Sequence, residues 1–121
     1  MSENVFMALK GVFHEPSRLA IVSALCKEKD GLPFNDLKDE CQLTFGNLSS
    51  HLKTLQDAGA VQVNKSFEGN KPRTTILLTD HGRKQFVAYL HALENVLQKA
   101  ANAVADSTDS SSVSAFRIKT A

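Results

Sequence analysis

The stretch from Thr44 to Leu78 constrains this chain most, because it joins a two-faced helix to a hairpin with almost no chain between them. Phe45, Leu48, Leu52 and Leu55 recur at the spacing of one helical stripe, so all four are expected to pack on a core. Thr44 stands where a side-chain oxygen can cap the first turn. Gly59 stands where a helix over 45–58 would end in the left-handed conformation. Ala60-Val61-Gln62-Val63-Asn64-Lys65 then alternates apolar and polar residues, as a half-buried strand does. Glu68-Gly69-Asn70-Lys71-Pro72 is rich in turn formers, and 73–78 reads as the return strand. In that strand Thr74 and Ile76 share one face, and Thr75 and Leu77 the other.

The flanks complete the pattern. A short helix is expected over 4–13, from the apolar face of Val5, Phe6, Leu9 and Phe13. Glu15-Pro16-Ser17 resembles a helix start, since a proline in the first turn loses no hydrogen bond, and a helix over 17–27 follows. Leu32-Pro33-Phe34 reads as a short extended piece, Asn35 as the cap of a helix over 36–41, and Gln42-Leu43 as a turn. Thr79 is placed to cap a long helix through about Ala105. The order is helix, helix, short strand, helix, helix, hairpin, helix. That order predicts a winged helix-turn-helix: mainly α with a small β-hairpin wing (α+β). One domain is expected over 1–105, including a terminal helix over 79–105, with a Ser-rich tail over 106–121. In the tail, Val113, Phe116 and Ile118 are apolar enough to dock on a partner subunit, and a frayed tail is equally compatible with the composition.

A chain of 121 residues suits one core. No apolar run approaches the roughly 20 residues needed to cross a bilayer. The start, MSENVFMALKG, lacks the basic and apolar regions of a signal peptide, so a cytoplasmic location is expected. Cys26 and Cys41 each lie among apolar residues at helical spacing and read as reduced core thiols. Net charge is only +1, but it is unevenly placed. Residues 1–43 hold five basic against seven acidic residues, and residues 44–83 five against three. The basic excess is central, so affinity for an anionic polymer has to come from a few placed cations.

Those cations have a setting. Opposite its apolar stripe, the helix over 45–58 presents Gly46, Asn47, Ser50, Lys53 and Thr54, with His51 at the edge and no acid until Asp57. Small and hydrogen-bonding residues of this kind can meet base edges in a major groove, and glycine allows close approach to a backbone. The hairpin adds Lys65, Lys71 and Arg73 within nine residues, and a hairpin tip can lie along phosphates or enter a minor groove.

Three blocks then carry a resemblance: Asn47-Leu48-Ser49-Ser50-His51-Leu52-Lys53-Thr54-Leu55-Gln56-Asp57-Ala58-Gly59, Lys71-Pro72-Arg73-Thr74-Thr75 and Leu78-Thr79-Asp80-His81-Gly82-Arg83. Together with Arg18-Leu19-Ala20-Ile21 and Phe34-Asn35-Asp36-Leu37, they closely resemble small winged-helix regulators related to the MarR and ArsR families over about residues 9–95. The resemblance implies a prokaryotic dimeric DNA-binding regulator, with the second helix of the motif in the groove and the wing arginine on DNA. On this reading Thr44, Asn47, Ser50, His51, Lys53, Thr54, Lys65, Lys71 and Arg73 contact double-stranded DNA. Metal-sensing relatives of the ArsR kind carry clustered ligands, whereas Cys26, Cys41, His14, His51, His81 and His91 show no paired ligand spacing. No metal and no cofactor are expected.

Phe86, Leu90, Leu93, Leu97, Ala100 and Val104 form a heptad-like seam, widened by Tyr89, Val96 and Ala103. A helix of about 26 residues is near 39 Å long, more than a domain of this size covers, so a homodimer through this seam is expected. The leading function is a transcriptional regulator, a dimeric repressor that occludes a promoter. Its operator and any small-molecule effector are left open. The alternative is a winged-helix protein-interaction module that does not bind DNA, and the acid-poor groove-facing surface favours the first. An enzyme is not expected, because no nucleophile–base set or phosphate-binding loop is present.

Overall fold

The structure, a computed structural model, describes residues 11–107. It contains α1 (Pro16–Cys26), β1 (Leu32–Pro33), α2 (Phe34–Glu40), α3 (Phe45–Asp57), β2 (Val61–Glu68), β3 (Lys71–Leu78) and α4 (Asp80–Ser107). The helix expected over 4–13 lies almost wholly outside the described residues, as does nearly all of the expected tail.

Each helix start follows from a local side chain or dihedral. Glu15 caps α1, its Oε1 accepting the Arg18 N–H at 2.8 Å. Thr44 caps α3 as expected, its Oγ1 accepting the Asn47 N–H at 3.1 Å. Asn35 does not cap α2. Pro33, extended at φ −60° and ψ 147°, both ends β1 and opens the helix, which puts Asn35 inside the first turn.

The helix-turn-helix pair α2–α3 is closed by two copies of one device. After α2, Leu43 N–H donates to Lys38 O at 3.0 Å and Gln42 N–H to Asp39 O at 3.2 Å. After α3, Ala60 N–H donates to Leu55 O and Gly59 N–H to Gln56 O, both at 2.9 Å. Both are Schellman closures, which need a left-handed residue just past the helix. Gly59 meets this without strain at φ 75°, whereas Gln42 adopts φ 56° with a full side chain.

The sheet has the order β1–β3–β2, all antiparallel. The extended piece expected at 32–34 becomes an edge strand, pairing Leu32 with Ile76 and Pro33 with Thr75. The hairpin runs further than the alternation in sequence indicated. A two-residue Gly69-Asn70 loop, with Gly69 at φ 65°, keeps the strands paired out to Glu68 and Lys71.

Ile21, Val22 and Leu25 from α1, Leu37 from α2, and Leu48, Leu52 and Leu55 from α3 meet Ile76 and Val61 in one core. Phe86 and Tyr89 of α4 close it against Phe13, with the Phe13 and Phe86 rings 5.2 Å apart. The Tyr89 hydroxyl lies 2.9 Å from His14 Nδ1, which satisfies the one polar atom this ring carries inward. The α3–hairpin–α4 junction is tied by Thr79. Its Oγ1 reaches Gly59 O at 2.7 Å and Ala60 O at 3.1 Å, while accepting the Gly82 N–H at 2.8 Å. A Cβ on Gly82 would overlap the Ala60 carbonyl, so only glycine lets α4 approach this closely.

Candidate nucleic-acid interface

The buried stripe of α3 dictates its exposed one. With Leu48, Leu52 and Leu55 at 0–4% exposure, the opposite side turns Gly46, Asn47, Ser50 and Lys53 to solvent. Asn47 makes no side-chain hydrogen bond to any described residue, which leaves its amide donors and acceptor available in the first exposed turn. Thr54 is less available, since its hydroxyl donates to Ser50 O at 3.4 Å. Lys53 lies 3.5 Å from Asp57 one turn on, an exposed pair that a competing phosphate can displace. Phe45, expected in the core, is 68% exposed. It is the first residue of α3, one turn before the buried Leu48, and its ring packs on Phe34, with ring centroids 4.9 Å apart.

His51 faces back toward α1. Arg18 Nη1 donates to its Nδ1 at 3.2 Å, and its Nε2 lies 3.9 Å from Glu15 Oε2. A guanidinium can only donate, so Nδ1 is the acceptor in this contact. Arg18 is itself held by Val12 O through Nε at 2.6 Å. Burial pushes the Glu15 carboxyl up, but the Arg18 N–H, His51 and the Ser17 N–H outweigh it and leave it below its ordinary value of 4.5. This trio ties α3 to the start of α1. In sequence nothing links Arg18 to His51, which stand 33 positions apart.

The wing supplies the cations. Lys65, Lys71 and Arg73 are exposed, and Arg73 pairs with Glu68 across the hairpin. Between wing and α3 lies an open groove of about 980 Å³. Four cations line it (Lys53, Lys65, Lys71, Arg73) against two acids, Asp36 and Glu68, so the groove is net positive. Gln56 and Ser49 add hydrogen-bonding groups on the helix side. Phe67, 76% exposed near the wing tip, lies beyond Lys65, where the apolar–polar alternation expected for the strand ends.

The seam read along the terminal helix divides in space. Phe86 is buried at 3% in the chain's own core, whereas Leu93 packs against that core and stays partly exposed. The reason is geometric: the first half of α4 lies over the domain, and the core claims the Phe86–Tyr89–Leu93 side. Leu90 is 40% exposed, Leu97 half-buried and Val104 38% exposed, with Ala100 also exposed. Val87, about 100° around the helix from Phe86, is 46% exposed and joins Leu90 on that outer flank.

Burial pushes the thiols of Cys26 and Cys41 above their usual value, Arg83 partly opposing this at Cys26 and Glu40 adding to it at Cys41. Among the described residues no group of three or more His, Cys, Asp or Glu side chains gathers at metal-binding distance. No helix among them is long and apolar enough to cross a membrane.

Comparison with known proteins agrees with this geometry. Residues 17–97 match the family model described as a winged helix DNA-binding domain. An uncharacterized protein of Methanocaldococcus jannaschii is 35% identical over 82 residues, covering 68% of this chain and 88% of that one. A transcriptional regulator homologue from Pyrococcus horikoshii superposes with a TM-score of 0.74 at 29% identity, over 82% of this chain and 98% of its own. MepR of S. aureus in complex with DNA shares the fold at a TM-score of 0.61 and 18% identity, over 86% of this chain and 77% of its own. The chain belongs to the winged helix DNA-binding domain family.

Proposed function

We propose that the protein is a sequence-specific, double-stranded DNA-binding transcriptional repressor that acts in the cytoplasm as a homodimer, by occluding a promoter. One observation carries this reading: the exposed, acid-free first turns of α3 stand beside a groove lined by four cations and two acids. Asn47, Ser50 and Lys53 enter the major groove, with Thr44 and Thr54 at the ends of that face. His51 acts from behind as the anchor of α3, and the α3–wing groove takes the sugar-phosphate strand between the two DNA grooves. Lys65, Lys71 and Arg73 hold phosphates. The dimer forms through the outer flank of α4, with Leu90, Leu97, Ala100 and Val104 in the seam and Val87 added to it.

Selection of bound duplexes from a random library tests the reading. Enrichment of a two-fold symmetric site is expected, and enrichment of no duplex would favour a protein-interaction module instead. Four cations per subunit neutralise on the order of 6–8 phosphates in a dimer, so log affinity against log salt should have a slope of about −5 to −7. Leu90→Glu combined with Leu97→Glu should yield monomers in sedimentation that bind the enriched site at least about 100-fold more weakly, because one half-site no longer tethers the other. An unaltered dimer would place the interface elsewhere.

A further inference from the structure

Phe67 has the highest exposure of the large apolar side chains in the described residues, at 76%, and neither the core nor the contacts proposed above use it. Side chains alternate along a strand, and cross-strand partners share a face. The register therefore puts Phe67 beside Pro72, on the face that also carries the Lys65–Thr74 and Val63–Ile76 pairs. At the base of that face Ile76 is fully buried, whereas at the tip Phe67 has run past the core. Folding of this chain does not account for the ring.

Its surroundings define what would cover it. Lys65 shares the face of the Phe67–Pro72 pair, while Lys71 and Arg73 stand on the opposite face of the ribbon, where the one acid at the tip, Glu68, is already held by Arg73. An apolar protein surface would leave those cations unmatched. A DNA duplex matches both, because phosphates line the rims of its grooves and stackable bases line the floor. A minor groove about 6 Å wide is too narrow for a whole two-stranded ribbon but admits a single apolar side chain from its tip.

We infer that Phe67, backed by Pro72, is an apolar wedge that enters the minor groove beside the site read by α3 and partly unstacks a base step there. The inference rests on the DNA-binding reading above and deepens it. The favoured step is pyrimidine–purine, TA or CA, because such steps open most easily. Lys65, Lys71 and Arg73 hold the phosphates on either side. The wing thereby selects sequence through deformability, at positions where α3 makes no hydrogen bond.

The test uses the full chain and the enriched duplex, with 2-aminopurine as the purine of a flanking TA step. Wild type should raise the probe's fluorescence on binding. Phe67→Ala should abolish the rise and weaken binding about tenfold, the scale of one lost stacking contact, with an unchanged salt slope because no charge is altered. Phe67→Leu should keep most of both effects. An unchanged fluorescence rise and affinity in Phe67→Ala overturns the wedge. So does tight wild-type binding with no fluorescence change, and in that case the DNA-binding reading stands. If wild type enriches no duplex at all, the DNA-binding reading fails and the wedge fails with it.

Discussion

The helix α3 and the tip of the wing carry comparable numbers of the groups proposed to meet DNA, yet they are held in opposite ways. Three leucines with 0–4% exposure, a threonine cap and a Schellman closure fix α3 to the domain. Beyond Thr74 the wing has no buried residue, and its shape comes from cross-strand pairing and a two-residue loop. The contrast separates two tasks. Reading base edges requires donors held within a few tenths of an ångström, which only a packed element provides. Gripping phosphates or wedging a deformable step tolerates a compliant ribbon.

The largest test of this contrast is stability. Leu48→Ala should cost about 2–5 kcal/mol, because it leaves a cavity under α3. Lys71→Ala at the wing tip should stay within about 0.5 kcal/mol of wild type. Denaturant unfolding of both variants checks this, and similar losses would erase the distinction.

Next comes discrimination. Asn47→Ala should lose about 1–3 kcal/mol on the enriched site and little on random duplex. Arg73→Ala should weaken both duplexes alike and lower the salt slope by about one unit per subunit. Titrations of both variants on both duplexes at two salt concentrations measure this. If Asn47→Ala weakened both duplexes equally and Arg73→Ala changed only site preference, the two assignments would have to be exchanged.

The smallest effect lies behind α3, at Glu15. Its carboxyl titrates below its ordinary value in the folded chain. Its contribution to stability is therefore present above pH 4.5 and lost as pH falls through the depressed value. Thermal unfolding of wild type and Glu15→Gln should differ at neutral pH and converge in acid. A difference that persists in acid would show that the cap acts through shape and not charge.

Much of the fold was legible because it rests on local chemistry. Thr44, Gly59 and Thr79 mark their boundaries through side-chain oxygens or a left-handed φ, and the Leu48–Leu52–Leu55 stripe is plain periodicity. What failed depended on distant partners. The short extended piece at 32–34 was legible as such, but its place beside β3, with Leu32 opposite Ile76, was not. Phe45 obeys the stripe and yet lies past the edge of the core, an edge that the periodicity does not mark. The seam on α4 reads as one stripe in sequence, but contact with the domain buries Phe86, covers Leu93 in part and leaves Leu90 outside. In the candidate interface the cations and amides were legible by type. The His51–Arg18–Glu15 anchor was not, because its members are up to 36 positions apart in sequence (51 − 15 = 36).

The knot at Thr79 has a mechanical consequence. The end of α3 and the start of α4 share the carbonyls of Gly59 and Ala60 through one hydroxyl, and Gly82 removes the last slack between them. The two helices therefore behave as arms of one lever, with its fulcrum at residues 59–60 and no compliant linker to absorb rotation. In the proposed dimer, a change in how the two α4 helices cross would swing both recognition helices by the same amount. The distance between half-sites is then a property of the seam, so a substitution there can shift operator spacing while every base-reading side chain stays as it is.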